Sequence, residues 1–153
     1  MYVSNLSWKN HILHLVPSPR LPTGGLLIRK KWLDLIVALL KRMEIRTYAC
    51  PLKYIGVPIA LIQTNYYGYQ LVRASCIITG CISLTPVLFT EFYPLHQVTP
   101  EDLAVLGYEK KQLYGWQLSC VTALDPTMIS ANSALTWRNL TDDHIVHDVF
   151  IDE

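Results

Sequence analysis

The spacing of apolar residues changes period several times along this chain, and each change marks an element. Between residues 16 and 25, Pro17, Pro19, Pro22, Gly24 and Gly25 rule out regular structure. Leu26-Leu27-Ile28 then reads as a short strand. Trp32, Leu35, Ile36, Leu39 and Leu40 recur at helical spacing and predict an amphipathic helix over Lys31–Arg42. After it the period falls to two: Glu44, Arg46 and Tyr48 alternate with Met43, Ile45 and Thr47, as in a half-buried strand.

Further strands are expected at Val57–Gln63, Gln70–Ile78, Cys81–Phe89 and Gln112–Leu124, with a last short one at Trp137–Leu140. Cys50 to Gly56 reads as a turn, Asn65 to Gly68 as a Tyr-rich loop, and Asp125-Pro126 as a strand end. Thr99-Pro100-Glu101-Asp102 carries a helix start: a capping hydroxyl, proline at the first position and acids in the first turn. Gly107 stops that helix. The order predicts an α+β domain built on a mixed, closed sheet. Its parts are an irregular arm over residues 1–25, a barrel over 26–140 and an acidic tail over 141–153.

Charge changes this picture more than composition does. The net charge is only +1, yet seven of the thirteen Lys and Arg residues fall between Arg29 and Lys53, against two acids, Asp34 and Glu44. Past Asn139 there are five acids and no Lys or Arg. Ala74–Thr90 is free of charge, but it falls short of the roughly 20 apolar residues of a membrane span and reads as buried strands. No membrane association is expected. The start lacks the marks of a signal peptide, so the four cysteines are expected as buried thiols in a cytoplasmic protein.

The order of four short motifs resembles the ASCH domains of the PUA-like superfamily. A Leu-x-Ile strand precedes a Trp-bearing helix. Then come Lys41-Arg42-Met43-Glu44-Ile45-Arg46, Lys53-Tyr54-Ile55-Gly56 and, late in the chain, Tyr114-Gly115-Trp116-Gln117-Leu118. The family pattern is Gly-Lys-Lys-Thr-x-Glu-x-Arg, Lys-Tyr-Arg-Gly and Tyr-x-Trp-x-Leu. Here Leu39 stands for its glycine, Arg42 for its threonine and Ile55 for the arginine. The resemblance, over about Leu26–Leu140, implies a PUA-like mixed β-barrel with a helix after the first strand and a second short helix. It also implies a cleft for RNA or nucleotides. Some small relatives hydrolyse the acetyl amide of acetylated cytidine and others are described as ribonucleases. The amidohydrolase pattern puts a catalytic lysine at Lys41 and a threonine nucleophile where this chain has Glu44.

The candidate ligand-binding residues are therefore Lys41, Arg42, Glu44, Arg46, Lys53 and Tyr54, with RNA, a nucleotide or a nucleoside as partner. Lys and Arg suit phosphate, Glu a base amino group, and Tyr a stacked base. A hydrolase of modified nucleosides or RNA would use Lys41 and Glu44 as acid and base. In the plainer reading they form a surface ion pair worth well under about 1 kcal/mol. A third reading is a protein-interaction module acting through the arm or the tail. Trp32 and Trp116 read as core, and His96 as an exposed loop residue. His11 with His14, and His144 with His147, lack a third ligand, so no metal is expected. No cofactor is expected either, and no Gly-rich phosphate loop, GxSxG or HExxH motif occurs.

Overall fold

A computed structural model of the chain describes residues 21–147. Six strands form one mixed sheet in the order β2-β5-β4-β3-β1-β6, curled into a half-barrel. They are β1 (Gly24–Ile28), β2 (Met43–Arg46), β3 (Pro58–Tyr66), β4 (Tyr69–Leu84), β5 (Leu113–Ile129) and β6 (Trp137–Asn139). Only β1 and β3 pair in parallel; the other neighbours are antiparallel. The crossover between β1 and β3 carries helix α1 (Lys30–Val37), β2 and a 3-10 turn at Leu52–Tyr54. Three short helices, α2 (Pro86–Glu91), α3 (Tyr93–His96) and α4 (Pro100–Leu106), lie between β4 and β5.

The sheet is covered on both faces at its centre. Leu26 and Ile28 of β1, with Ile59 and Leu61 of β3, join Trp32, Leu33 and Ile36 of α1 and Trp116 of β5 in the main cluster. The residues between them, Leu27, Ala60 and Ile62, pack with Val72, Ile129 and Leu140 on the other face. Burial on both sides explains why β1 and β3 read as unbroken apolar runs. Residues 142–146 lie along β5: Ile145 bridges Ile129 and Val146 N–H donates to the Met128 carbonyl at 2.8 Å.

The sheet, expected to be closed, is open, with β2 and β6 at its edges, and Gly24 and Gly25, expected in the irregular arm, begin β1. Four further sequence expectations change. First, α1 ends at Val37, so Lys41 and Arg42 are not in its last turn. Leu39 takes a left-handed φ of 62°. Its N–H donates to the Ile36 carbonyl and that of Leu40 to the Leu35 carbonyl, both at 2.9 Å, closing a Schellman motif. Leu39 thus fills the position that favours glycine, and Leu39 and Leu40 face solvent rather than the core.

Second, Cys81–Phe89 is not a separate strand. β4 continues past Gly80 through a register shift and runs to Leu84. Third, Thr85-Pro86 starts α2, with the Thr85 hydroxyl accepting from Leu88 N–H at 3.1 Å. Fourth, Asp125-Pro126 does not end β5. The dipeptide sits opposite the register shift between Val72 and Ala74, where a missing donor is tolerated. The α4 helix forms as expected, with a full capping box from Thr99 and Asp102 and a left-handed Gly107 behind it.

Candidate functional site

The chain leaves α1 through the Leu39 turn and enters β2 at the edge of the sheet. This delivers Lys41, Glu44 and Arg46 to one wall of a cavity of about 390 Å³. The rest of the lining comes from Leu27 and Ile28 of β1 with Arg29 after it, from Trp32, Ile45 and Tyr48, from Thr64 and Asn65 of β3, from Val98, Leu106 and Tyr108, and from 134–136. Asn65 has a left-handed φ of 56°, a conformation often stored where side chains must be aimed.

The three charged groups form a chain. Arg46 sets Nε and Nη2 on the same Glu44 oxygen, Oε2, each at 2.8 Å, and Nη2 also donates to the Leu27 carbonyl at 2.9 Å. The other oxygen, Oε1, lies 3.7 Å from Lys41 Nζ. Lys41 donates to the His96 carbonyl at 2.6 Å and lies over the Trp32 ring, 5.1 Å from its centroid. Lys41 is 0% exposed and Glu44 5%. The surface ion pair anticipated from sequence is a buried one.

Burial pulls Lys41 down to about 8, against the opposing pull of Glu44. Burial also opposes the charge on Arg46, but Glu44, together with Tyr48 and Tyr108, more than offsets this and holds the guanidinium above its ordinary value. Arg46 lies over Trp116, 5.8 Å from its centroid, and Trp116 Nε1 donates to the Tyr48 carbonyl at 3.1 Å. Tyr108, its hydroxyl pushed up by burial, feels both Arg46 and Glu44. The usable polar surface is thus Glu44, Arg46, the two tyrosines and Arg29 on the rim, with Lys41 behind.

The structure separates the six sequence candidates. Lys41, Glu44 and Arg46 meet in this cavity. Arg42 is exposed and does not line it; its backbone N–H donates to the Leu95 carbonyl at 2.7 Å. Lys53 and Tyr54 border a second hollow of about 510 Å³ at the opposite ends of β1, β3 and β6, beside Leu21, Gly24, Pro58 and Asn139. There Tyr54 stacks on Trp137 with centroids 3.8 Å apart.

Several cavity residues carried no sequence signal as ligand contacts. Tyr108 lay in an expected loop, and Trp32 was read only as core although it backs the cavity. His96 is fully buried rather than exposed. Among the described residues no three His, Cys, Asp or Glu side chains group as metal ligands. His144 instead accepts from Thr141 N–H at 3.2 Å; His11 and His14 lie outside the described residues. No described helix is long and apolar enough to cross a membrane. The cysteines are free thiols. Cys50 and Cys76 are buried and pushed up by that burial, to about 11 and about 12, but Cys81 is only partly covered and Cys120 is exposed.

No protein-family model and no curated protein matches the sequence. Solved structures do share its fold. The ASCH protein of Zymomonas mobilis superposes with a TM-score of 0.63 at 11% identity, covering 79% of this chain and 89% of that one. Its serine-to-alanine and tyrosine-to-phenylalanine mutants each give 0.62 at 11% identity, covering 79% of this chain and 89% and 91% of theirs. With so few identities the likeness lies in the path of the backbone, and by that path the chain shares the fold of that ASCH protein, a mixed half-barrel.

Proposed function

We propose that the cavity binds RNA or a nucleotide, taking one base into the hollow and leaving the phosphate at its rim. The observation that carries this is the buried Lys41–Glu44–Arg46 chain lining a cavity with aromatic walls. Its volume falls within the roughly 300–1,000 Å³ of small-ligand sites. Arg46 already spends Nε and Nη2 on Glu44 and the Leu27 carbonyl, so the floor is largely neutralised from within. Such a floor suits the uncharged polar edge of a base better than a phosphate. Glu44 Oε1 offers an acceptor to a base amino group. Trp32, Tyr48 and Tyr108 offer ring faces, and exposed Arg29 offers a cation for phosphate.

The test is titration with the four ribonucleosides, their monophosphates and short single-stranded RNAs, at several salt concentrations. Binding should weaken in Glu44→Ala and in Lys41→Ala. RNA should show a salt slope that nucleosides lack, because only phosphate contacts release counterions. Absence of binding by every probe, in folded wild-type protein, overturns the reading.

A second reading, a small hydrolase of modified nucleosides or RNA, is favoured by one feature. Lys41 is brought to about 8 and lies 3.7 Å from a carboxylate, the pairing an acid–base relay needs. Turnover lost in Lys41→Ala while affinity is retained would distinguish it from simple binding.

A further inference from the structure

We propose that His96 is the positioning residue of this cavity, acting through its backbone carbonyl on Lys41. The inference rests on the reading of the cavity given above. Among the described residues, the shortest polar contact of the Lys41 side chain is to the His96 carbonyl, at 2.6 Å, at the C-terminal end of α3. A helix C-terminus is a favourable place for a cation. The next residue, Gln97, is left-handed, with φ 62°. A non-glycine residue in that conformation persists only where its surroundings over-determine it.

The imidazole supplies much of that constraint. Its Nδ1 accepts from Val98 N–H at 2.9 Å, so the ring proton is on Nε2, which donates to the Phe89 carbonyl at 2.7 Å. The ring is therefore neutral and pinned at both nitrogens. It also stacks on Phe89, with centroids 4.4 Å apart and planes 23° apart. Burial lowers its affinity for a proton, in keeping with the neutral form. Gln97 adds a second clamp, its side-chain amide donating to the Pro94 carbonyl at 2.9 Å. Thus one ring joins α2 to the segment after α3, and the peptide between His96 and Gln97 is fixed where Lys41 meets it. Lys41 in turn sits against Glu44, the acceptor that faces the ligand.

The experiment follows the Lys41 side chain directly, by the pH titration of its Cε signal in ¹³C-lysine-labelled protein, in wild type and three variants. His96→Leu keeps the volume and removes both ring contacts. His96→Gln keeps a donor for Phe89, and His96→Asn an acceptor for Val98. His96→Leu is expected to lower the Lys41 midpoint by about one pH unit, the scale of one charge-assisted hydrogen bond. It should also weaken monophosphate binding by about tenfold. His96→Gln and His96→Asn should give smaller shifts in the same direction, and they decide the matter if the leucine variant does not fold. Wild-type midpoints in all the folded variants overturn the proposal. If wild-type protein binds no monophosphate, the nucleotide reading falls, while the Lys41 titration still decides what His96 does.

Discussion

Two groups of ion pairs draw their cations from the same basic stretch, and they obey different physics. Lys30 meets Asp34 and Lys31 meets Asp102, each at 2.7 Å, on the outside of α1. Both lysines are mostly in water, so the gain from each pair is small and screened by salt. Lys41, Glu44 and Arg46 are sealed against a wall of Trp32 and Trp116. There the one carboxylate serves both cations, and its removal leaves two buried charges without an anion. The distances of the outer pairs are as short as any in the buried chain. Burial, not distance, separates a decorative pair from one that shapes a site.

The sharpest break in this comparison is Glu44→Gln. It leaves Lys41 and Arg46 as neighbouring buried cations with no anion, a situation that typically costs about 3–5 kcal/mol. Denaturant unfolding should show that loss, and it should exceed the loss in Lys41→Met, where Glu44 keeps Arg46. Equal losses would mean that the carboxylate is not the centre of the chain.

The next effect is a pH dependence that only a buried lysine gives. Lys41 titrates at about 8 in the folded protein, against 10.5 as its ordinary value. Between those values the unfolded chain still holds a proton that the native state has released, so stability rises with pH across that window. The depression of about 2.5 units corresponds to roughly 3 kcal/mol. Cys50 and Cys76, pushed up by burial, act in the opposite direction from their ordinary value of 9.0 upward, which overlaps this window. The clean measure is therefore the difference between wild type and Lys41→Met, unfolded in parallel from pH 7.5 to 10.5. A flat difference would place Lys41 in water.

How far this contrast was legible in the sequence depends on the kind of signal each residue leaves. Period two at residues 43–46 and period 3.6 at 32–36 are local, and both elements form. The Thr99-Pro100 start was equally local. Thr85-Pro86 carried the same signature but was hidden by the β-rich residues around it. Burial of Lys41 left no local trace, because the groups that cover it come from α1 and α3, the latter more than fifty residues away. The division of the six candidates into two hollows was equally unreadable. Lys53 and Tyr54 follow β2 closely in sequence, yet the turn at Leu52–Tyr54 carries them to the other end of β1 and β3. His96 looked like a loop residue because its partners, Phe89 and Val98, are defined only once the short helices fold.

The turn that leads into the buried chain gives a smaller effect of opposite sign. Leu39→Gly removes a left-handed leucine whose side chain is 62% exposed, so little packing is lost. The relieved strain is about 1 kcal/mol, reduced somewhat by the greater freedom of glycine in the unfolded chain. A rise in thermal midpoint with unchanged ligand affinity is the expected result. A fall would show that Leu39 makes a contact the turn depends on.

The smallest effect belongs to the outer pairs, and its smallness is the point. Lys30→Ala removes an exposed i,i+4 partner of Asp34, worth about 0.3–0.5 kcal/mol on a helix surface. Asp34 keeps Arg73 as a second partner, so no charge is stranded. Lys30 holds the Asp34 carboxyl below its ordinary value, with Arg73 adding to the effect. The stability it contributes is present above the unfolded value near 3.8 and is lost as pH falls through the lower folded value. Lys30→Ala should therefore change stability little at neutral pH, and less still in about 0.5 M salt, where screening is strong. If instead this substitution proved as damaging as Glu44→Gln, exposure would not be what divides the two groups of cations, and the case for the cavity as the chain's working site would lose its physical basis.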